Sequence, residues 1–211
     1  MQTIPTLSLD ERLNAGTHGL GFVLSTIGLG LLLISPSERM GWLAVFACLV
    51  FGLSLMLLYA SSTLYHLARS PRLKFFWKRC DHIAIFFLIA GSYTPFCLVM
   101  QPSPAAYQLL AVVWSIAGIG ALLKIFYAGR LRWLSTCLYL ALGWMVVWKW
   151  EVILADMQPK LLTWLFAGGI LYSLGALFYL WKTLRFHHAI WHVFVLGGST
   201  CHYMAVLFYF S

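Results

Sequence analysis

The sequence predicts an all-α protein: a polytopic membrane bundle of seven transmembrane helices, built as one domain over residues 1–211. Three observations predict it. The first is composition, with 62% hydrophobic and only 9% charged residues, where a soluble domain carries about 25% charged. So little polar surface leaves lipid as the solvent for most of the chain. The second is a series of seven apolar runs, most of them near the roughly 20 residues that cross a hydrocarbon core of about 30 Å. The third is a lopsided distribution of Lys and Arg across the gaps between the runs.

The runs are Thr17–Ile34, Trp42–Tyr65, Ile83–Met100, Tyr107–Tyr127, Trp133–Trp148, Leu161–Trp181 and Ala189–Phe210. Ser35-Pro36-Ser37 ends the first, Ser70-Pro71 breaks the second gap, and Gln101-Pro102-Ser103-Pro104 ends the third. Pro159 precedes the sixth. Proline marks these gaps because it cannot continue a helix. Pro95, inside the third run, predicts a kink. The fifth run is the shortest and extends only if Lys149 and Glu151 lie at an interface. Glycines inside the runs (Gly16, Gly19, Gly21, Gly28, Gly30, Gly118, Gly120, Gly168, Gly169, Gly197, Gly198) are expected to let helices approach closely. Trp42, Tyr65, Trp133, Trp148, Trp150 and Trp181 sit at run ends, as interface anchors do.

Seven crossings put Arg12, Arg69, Arg72, Lys74, Lys78, Arg79, Lys124, Arg130, Arg132, Lys182 and Arg185 on the side of the N-terminus. Only Arg39, Lys149 and Lys160 fall on the other side. The positive-inside rule makes the N-terminus cytoplasmic and the C-terminus external. The net charge of +8 thus reads as membrane orientation, and no nucleic-acid partner is expected. Membrane lipids are the expected partners, and the plasma membrane (a bacterial inner membrane) the expected location. No cleaved signal peptide is expected, since the N-terminus lacks a basic region before a short apolar stretch. Five scattered cysteines without a CxxC pair read as small apolar fillers, with no disulfide framework.

Ionisable groups within spans are costly, so each is a functional candidate. His18 opens the first span, His66 closes the second, Asp81 and His82 precede the third, and His187, His188 and His192 open the seventh. All gather toward the expected cytoplasmic side; His202 alone lies deeper. His188 and His192 form an i, i+4 pair on one helix face. On its own such a pair reads first as two core histidines satisfied by hydrogen bonds. His66, at similar depth on another helix, changes that reading. Three histidines with a fourth position open are an arrangement with which zinc activates water. Asp81 is expected as acid or base beside the metal, and Ser62, one turn before His66, as its hydrogen-bonding neighbour. An ideal helix turns His82 about 100° from Asp81, so Asp81 is expected to face the site instead of His82. His202 lies about 21 Å further along its helix than His188 and is expected to pack or hydrogen-bond within the bundle. His187 is expected to be solvated. Tyr65, Ser92 and Thr94 are expected to make ordinary interhelical hydrogen bonds.

Taken together, these residues resemble a known family. Glu11-x-x-Asn14-x-x-Thr17-His18, Ser62-x-x-x-His66, Asp81-His82 with Ala90-Gly91-Ser92-Tyr93-Thr94-Pro95, and His188-x-x-x-His192 with His202 occur in order along the chain. The chain looks like a bacterial hemolysin III-type member of the progestin and adipoQ receptor (PAQR) family, grouped with alkaline ceramidases in a wider superfamily of membrane hydrolases. The resemblance implies seven helices, a cytoplasmic N-terminus, and zinc held by His66, His188 and His192. It also places Asp81 and Ser62 beside the metal. The chain lacks the long N-terminal extension of the animal receptors, so no hormone ligand is implied, and neither an export signal nor an amphipathic soluble form supports a lytic toxin. The leading expectation is a zinc-dependent hydrolase of a lipid amide or ester, with its substrate in the bundle interior and an effect on membrane homeostasis. A non-enzymatic membrane regulator or sensor with structural zinc stands second. A channel or transporter stands third, because ionisable groups gather at one side only.

Overall fold

A computed structural model of the chain describes residues 7–34, 41–128, 130, 132–151 and 157–210. It is all helical: α1 (Leu9–Leu33), α2 (Trp42–Leu67), α3 (Pro71–Pro95), α4 (Pro104–Tyr127), α5 (Arg132–Gly143), α6 (Pro159–Leu180) and α7 (His187–Phe210). Six of these are long and apolar enough to cross a membrane; α5 is not among them. The expected turn at Ser35-Pro36-Ser37, and Arg39, lie outside the described residues.

Most boundaries fall within a few residues of the apolar runs, with three differences. Helix α1 starts at Leu9, eight residues ahead of its run. Ser8 caps it, its hydroxyl accepting from the Glu11 N–H at 3.3 Å, and Asp10 and Glu11 complement the N-terminal dipole. Helix α3 starts at Pro71, twelve residues early. Proline at the first helical position keeps its fixed φ without losing a bond, and the polar first turns lie outside the apolar stretch. Asp81 and His82 therefore lie well inside a helix and not at its mouth. The fifth run divides into the twelve-residue α5 and a 3₁₀ segment, Met145–Lys149.

Pro95 ends the regular part of α3, and Phe96–Met100 continues as a π-helical turn, closed by Gln101 N–H donating to the Phe96 carbonyl at 2.9 Å. Missing its own N–H, proline releases the helical ladder at this point. Phe186, at φ 58°, turns the chain sharply into α7 just ahead of His188.

Helix α2 packs between α1 and α3, α1 also touches α7, and α6 lies along α7, while α4 covers the outside of α3. Helix α5 makes only sparse contacts with α3 and α6, and an interior cavity of about 300 Å³ opens there. The small residues act largely as expected. A Cβ on Gly21 would meet the Tyr59 ring at 2.6 Å, and one on Gly28 the Tyr203 ring at 2.9 Å. Gly16, Gly30 and Gly118 depart from the expectation: their missing side chains face open space. All five cysteines are free, and Cys48, Cys97 and Cys201 are buried.

Candidate metal centre

Three histidines come together where α2 ends and α7 begins. Potential ligand atoms of His66, His188 and His192 all lie within 4.8 Å of one another. Ring centroids are 5.1 Å apart for His66 with His188, 5.1 Å for His66 with His192, and 4.6 Å for His188 with His192. His188 and His192 meet because residues four apart share a helix face. His66 is delivered by the last turn of α2.

The outer hydrogen bonds decide which nitrogens remain available. His66 Nδ1 lies 2.6 Å from the Glu11 carboxylate. A carboxylate only accepts, so Nδ1 carries a proton, and in the neutral imidazole it is Nε2 that offers a lone pair. That Nε2 is buried and has no hydrogen-bond partner. His192 Nδ1 lies 3.1 Å from the Asn14 carbonyl and 3.2 Å from Thr17 Oγ1. The carbonyl again requires a donated N–H, leaving the His192 Nε2 lone pair unused. An orphaned, buried imidazole lone pair converging with two further imidazoles fits a divalent ion with a taste for nitrogen. The carboxylate–histidine pairing is the outer-shell arrangement that orients such ligands.

Helix α1 supplies this outer shell. Glu11, Asn14, Thr17 and His18 recur at the spacing of one helix face. The Lys74 ammonium donates to the second Glu11 oxygen at 2.6 Å, tying α3 to the same carboxylate. His18 stacks on His192, with centroids 3.5 Å apart and planes 11° from parallel. Both nitrogens of His18 are buried without partners, yet it lies outside the three-histidine set. The contribution of Glu11 and Asn14 was not foreseeable from the apolar runs, which begin after both. A usable signal exists in Ser8-x-x-Glu11, a capping-box pattern that starts a helix there.

Asp81 and Ser62 are placed together. Ser62 is almost fully buried, and its hydroxyl is the polar side chain beside the Asp81 carboxyl. Asp81 lines the same cavity as His188 and His192. So does His82, contrary to the expectation that only one of the pair faces inward. Its Nδ1–H donates to the Lys78 carbonyl at 2.6 Å, a bond that turns the ring back along its own helix. His187 also differs from expectation: it is half-buried, with its Nδ1 shielded from solvent.

His202 behaves as expected, its Nε2–H donating to the Leu165 carbonyl at 3.3 Å, and it lines the far end of the cavity. Ser92 and Thr94 donate to backbone carbonyls within their own helix at 2.8 and 3.0 Å. Thr94 also accepts from the Trp114 indole N–H at 3.3 Å, an interhelical bond. Tyr65 lines the cavity and carries Lys74 over its ring at 5.1 Å. Between the histidine end and His202 the cavity wall is apolar, with Ile85, Leu88, Ile89, Phe96 and Leu165 among its residues. Chemically, the arrangement joins three imidazoles that could hold a metal ion and a carboxyl group to an oily chamber.

The family model described as Haemolysin-III related matches residues 8–203. Hemolysin-3 of Bacillus cereus is 43% identical over 200 residues, covering 95% of this chain and 91% of that protein. The Hemolysin-3 homolog of Bacillus subtilis (strain 168) is also 43% identical, covering 95% and 94%. Monocyte to macrophage differentiation factor of Homo sapiens is 27% identical over 205 residues, covering 93% and 83%. No solved structure matches the chain.

Proposed function

The chain belongs to the haemolysin-III related family, and from that premise we propose that it is a membrane-embedded, zinc-dependent hydrolase of a lipid amide or ester. The observation that carries this reading is the three-histidine set, with buried Nε2 of His66 left unpaired, beside Asp81 at the polar end of an apolar cavity. His66, His188 and His192 would hold the ion. Bound there, zinc supplies Lewis acidity toward the scissile carbonyl and toward water. The chain's own residues do the rest. The apolar wall takes the acyl chain and excludes water. Asp81 accepts a proton from the attacking water as its oxygen bonds to the acyl carbon, and returns that proton to the leaving nitrogen or oxygen as the C–N or C–O bond breaks. One water is consumed; a fatty acid and an amine or alcohol result. Ser62 orients Asp81. Glu11, Asn14 and Thr17 fix the imidazole rings.

Three ligands, with no fourth His, Cys, Asp or Glu joining them among the described residues, favour a catalytic over a structural metal, since structural zinc is usually closed by four protein ligands. The proposal includes a plasma-membrane location and seven crossings with the N-terminus in the cytoplasm. Twelve residues of α5 reach about 18 Å. The five-residue 3₁₀ segment beyond adds about 10 Å, near the membrane's thickness.

The test is metal analysis of purified full-length protein alongside His66→Ala, His188→Ala and His192→Ala. The expected result is about one zinc per wild-type chain and loss of it in each variant. Wild-type protein is further expected to release fatty acid from acyl amides or esters, and Asp81→Asn to bind zinc but release none. Unchanged metal in all three alanine variants would overturn the site.

A further inference from the structure

The cavity has a second polar wall that the hydrolytic chemistry leaves unused. Lys78 from α3, Lys124 from α4, Arg130 ahead of α5, Arg132 at its start, and Lys182 beyond α6 all line it. None of the five pairs with a carboxylate among the described residues, whereas Lys74, on the other side of the site, is held by Glu11. Asp81 is the one carboxylate in the described lining. Lys124 is the most telling of the five. It is only 6% exposed, and its ammonium donates to a neutral partner, the Ser135 hydroxyl. An ammonium withdrawn from water without a counter-ion is costly. Lys182 stands 4.3 Å over the Tyr179 ring; partial burial, then the nearby Arg132 guanidinium, hold its pKa below the ordinary lysine range.

We propose that this wall seats the headgroup of a phosphate-bearing acyl lipid, with Lys124 at the base of the seat and Arg130, Arg132 and Lys182 at its rim. The seat rests on the hydrolase reading for its claim that the bound lipid is the substrate. Three features select this class. Several cations around one carboxylate suit a group with more than one negative charge. Guanidinium forks match phosphate oxygens in bidentate fashion. The apolar wall running on toward His202 demands an acyl chain, which a soluble phosphate lacks. Seating the headgroup between the cations would leave the acyl linkage beside Asp81 and the histidines.

Binding without turnover tests this. Full-length, zinc-loaded protein in neutral maltoside micelles is titrated with oleoyl lysophosphatidate, with oleoyl glycerol, and with inorganic phosphate, read by the fluorescence of the cavity tryptophans, Trp144 and Trp191. Lysophosphatidate is expected to bind about tenfold or more tighter than oleoyl glycerol, the effect of one charge-assisted hydrogen bond. Lys124→Gln should bring the two affinities together by weakening only the first, while Lys124→Arg retains the preference. Arg69→Gln, exposed on the same side but outside the cavity lining, should leave it unchanged. Equal wild-type affinities, a preference that survives Lys124→Gln, or one lost equally in Arg69→Gln would each overturn the seat. Displacement of lysophosphatidate by inorganic phosphate with equal affinity would overturn the lipid source. The readout does not depend on hydrolysis, so inactivity with an intact preference sinks the enzyme reading alone, and activity without preference sinks the seat alone.

Discussion

On the wall made by α1, α2 and α7, the Nδ1 protons of two histidines and the Glu11 carboxylate have partners. His66 and His192 each give an Nδ1 proton to an acceptor on α1, and Glu11 is answered by both His66 and Lys74. On the facing wall made by α3 to α6, five cations line the same cavity beside one carboxylate, Asp81, and none of the five forms an ion pair among the described residues. The first pattern holds the His66 and His192 rings in fixed orientations and leaves their Nε2 lone pairs free, as a site for a small ion requires. The second leaves charge uncompensated, as a site for an anionic visitor requires. On the two proposals, one chamber carries two recognition surfaces, distinguished by which protons and charges the protein itself pairs.

The comparison breaks most severely at His66. Replacement by alanine removes one ligand and leaves Glu11 facing a void beside Lys74. Zinc is expected to fall from about one per chain to the background of a metal-free control. The lysophosphatidate preference should survive, since the cationic wall is untouched. Elemental analysis and lipid titration on one preparation measure both. Simultaneous loss of both properties in a folded variant would mean that the two walls act as a single site.

A smaller effect is expected from the outer shell. Glu11→Gln keeps an oxygen near His66 Nδ1 but removes the charge that strengthens the bond. Outer-shell substitutions typically weaken metal affinity about 10–100-fold. Competition with a calibrated chelator measures the change. An affinity unaltered within error would reduce Glu11 to a helix-capping residue and remove the main contrast between the walls.

How much of this was legible in the sequence differs between the walls. The convergence of the three histidines was readable because His188 and His192 are neighbours on one helix face, and charge counting set His66 at their depth. Glu11 was not, because an acidic residue near a helix start reads equally well as a dipole complement, and its partner lies 55 positions away. Apolar runs report contact with lipid, so they missed the polar turns of α3 ahead of Ile83 that carry Asp81 and His82. The same limitation hid the cationic wall. Lys124, Arg132 and Lys182 read as boundary charges until packing turned them toward one cavity. Of the seven expected crossings, α5 is the one whose length falls short, and its run was already the shortest.

The smallest predicted effect concerns His18, which separates stacking from ligation. It lies against His192 face to face at 3.5 Å, with Tyr59 edge-on at 5.1 Å. Its nitrogens have no partners, so orphan status alone would admit it as a fourth ligand. Geometry argues otherwise: rings stacked within 11° of parallel place their in-plane lone pairs side by side and not converging on a shared ion. Its role is then to keep the His192 ring from tilting. Aromatic pairs of this kind contribute about 0.5–1.5 kcal/mol, so His18→Ala should weaken zinc binding by roughly two- to twelvefold. His18→Phe should restore most of that loss, because phenylalanine stacks but cannot coordinate. Chelator competition on the two variants decides between the roles. If phenylalanine is as damaging as alanine, or costs far more than twelvefold, His18 is a ligand, and the three-histidine set with its open fourth position must be redrawn as a closed, structural centre.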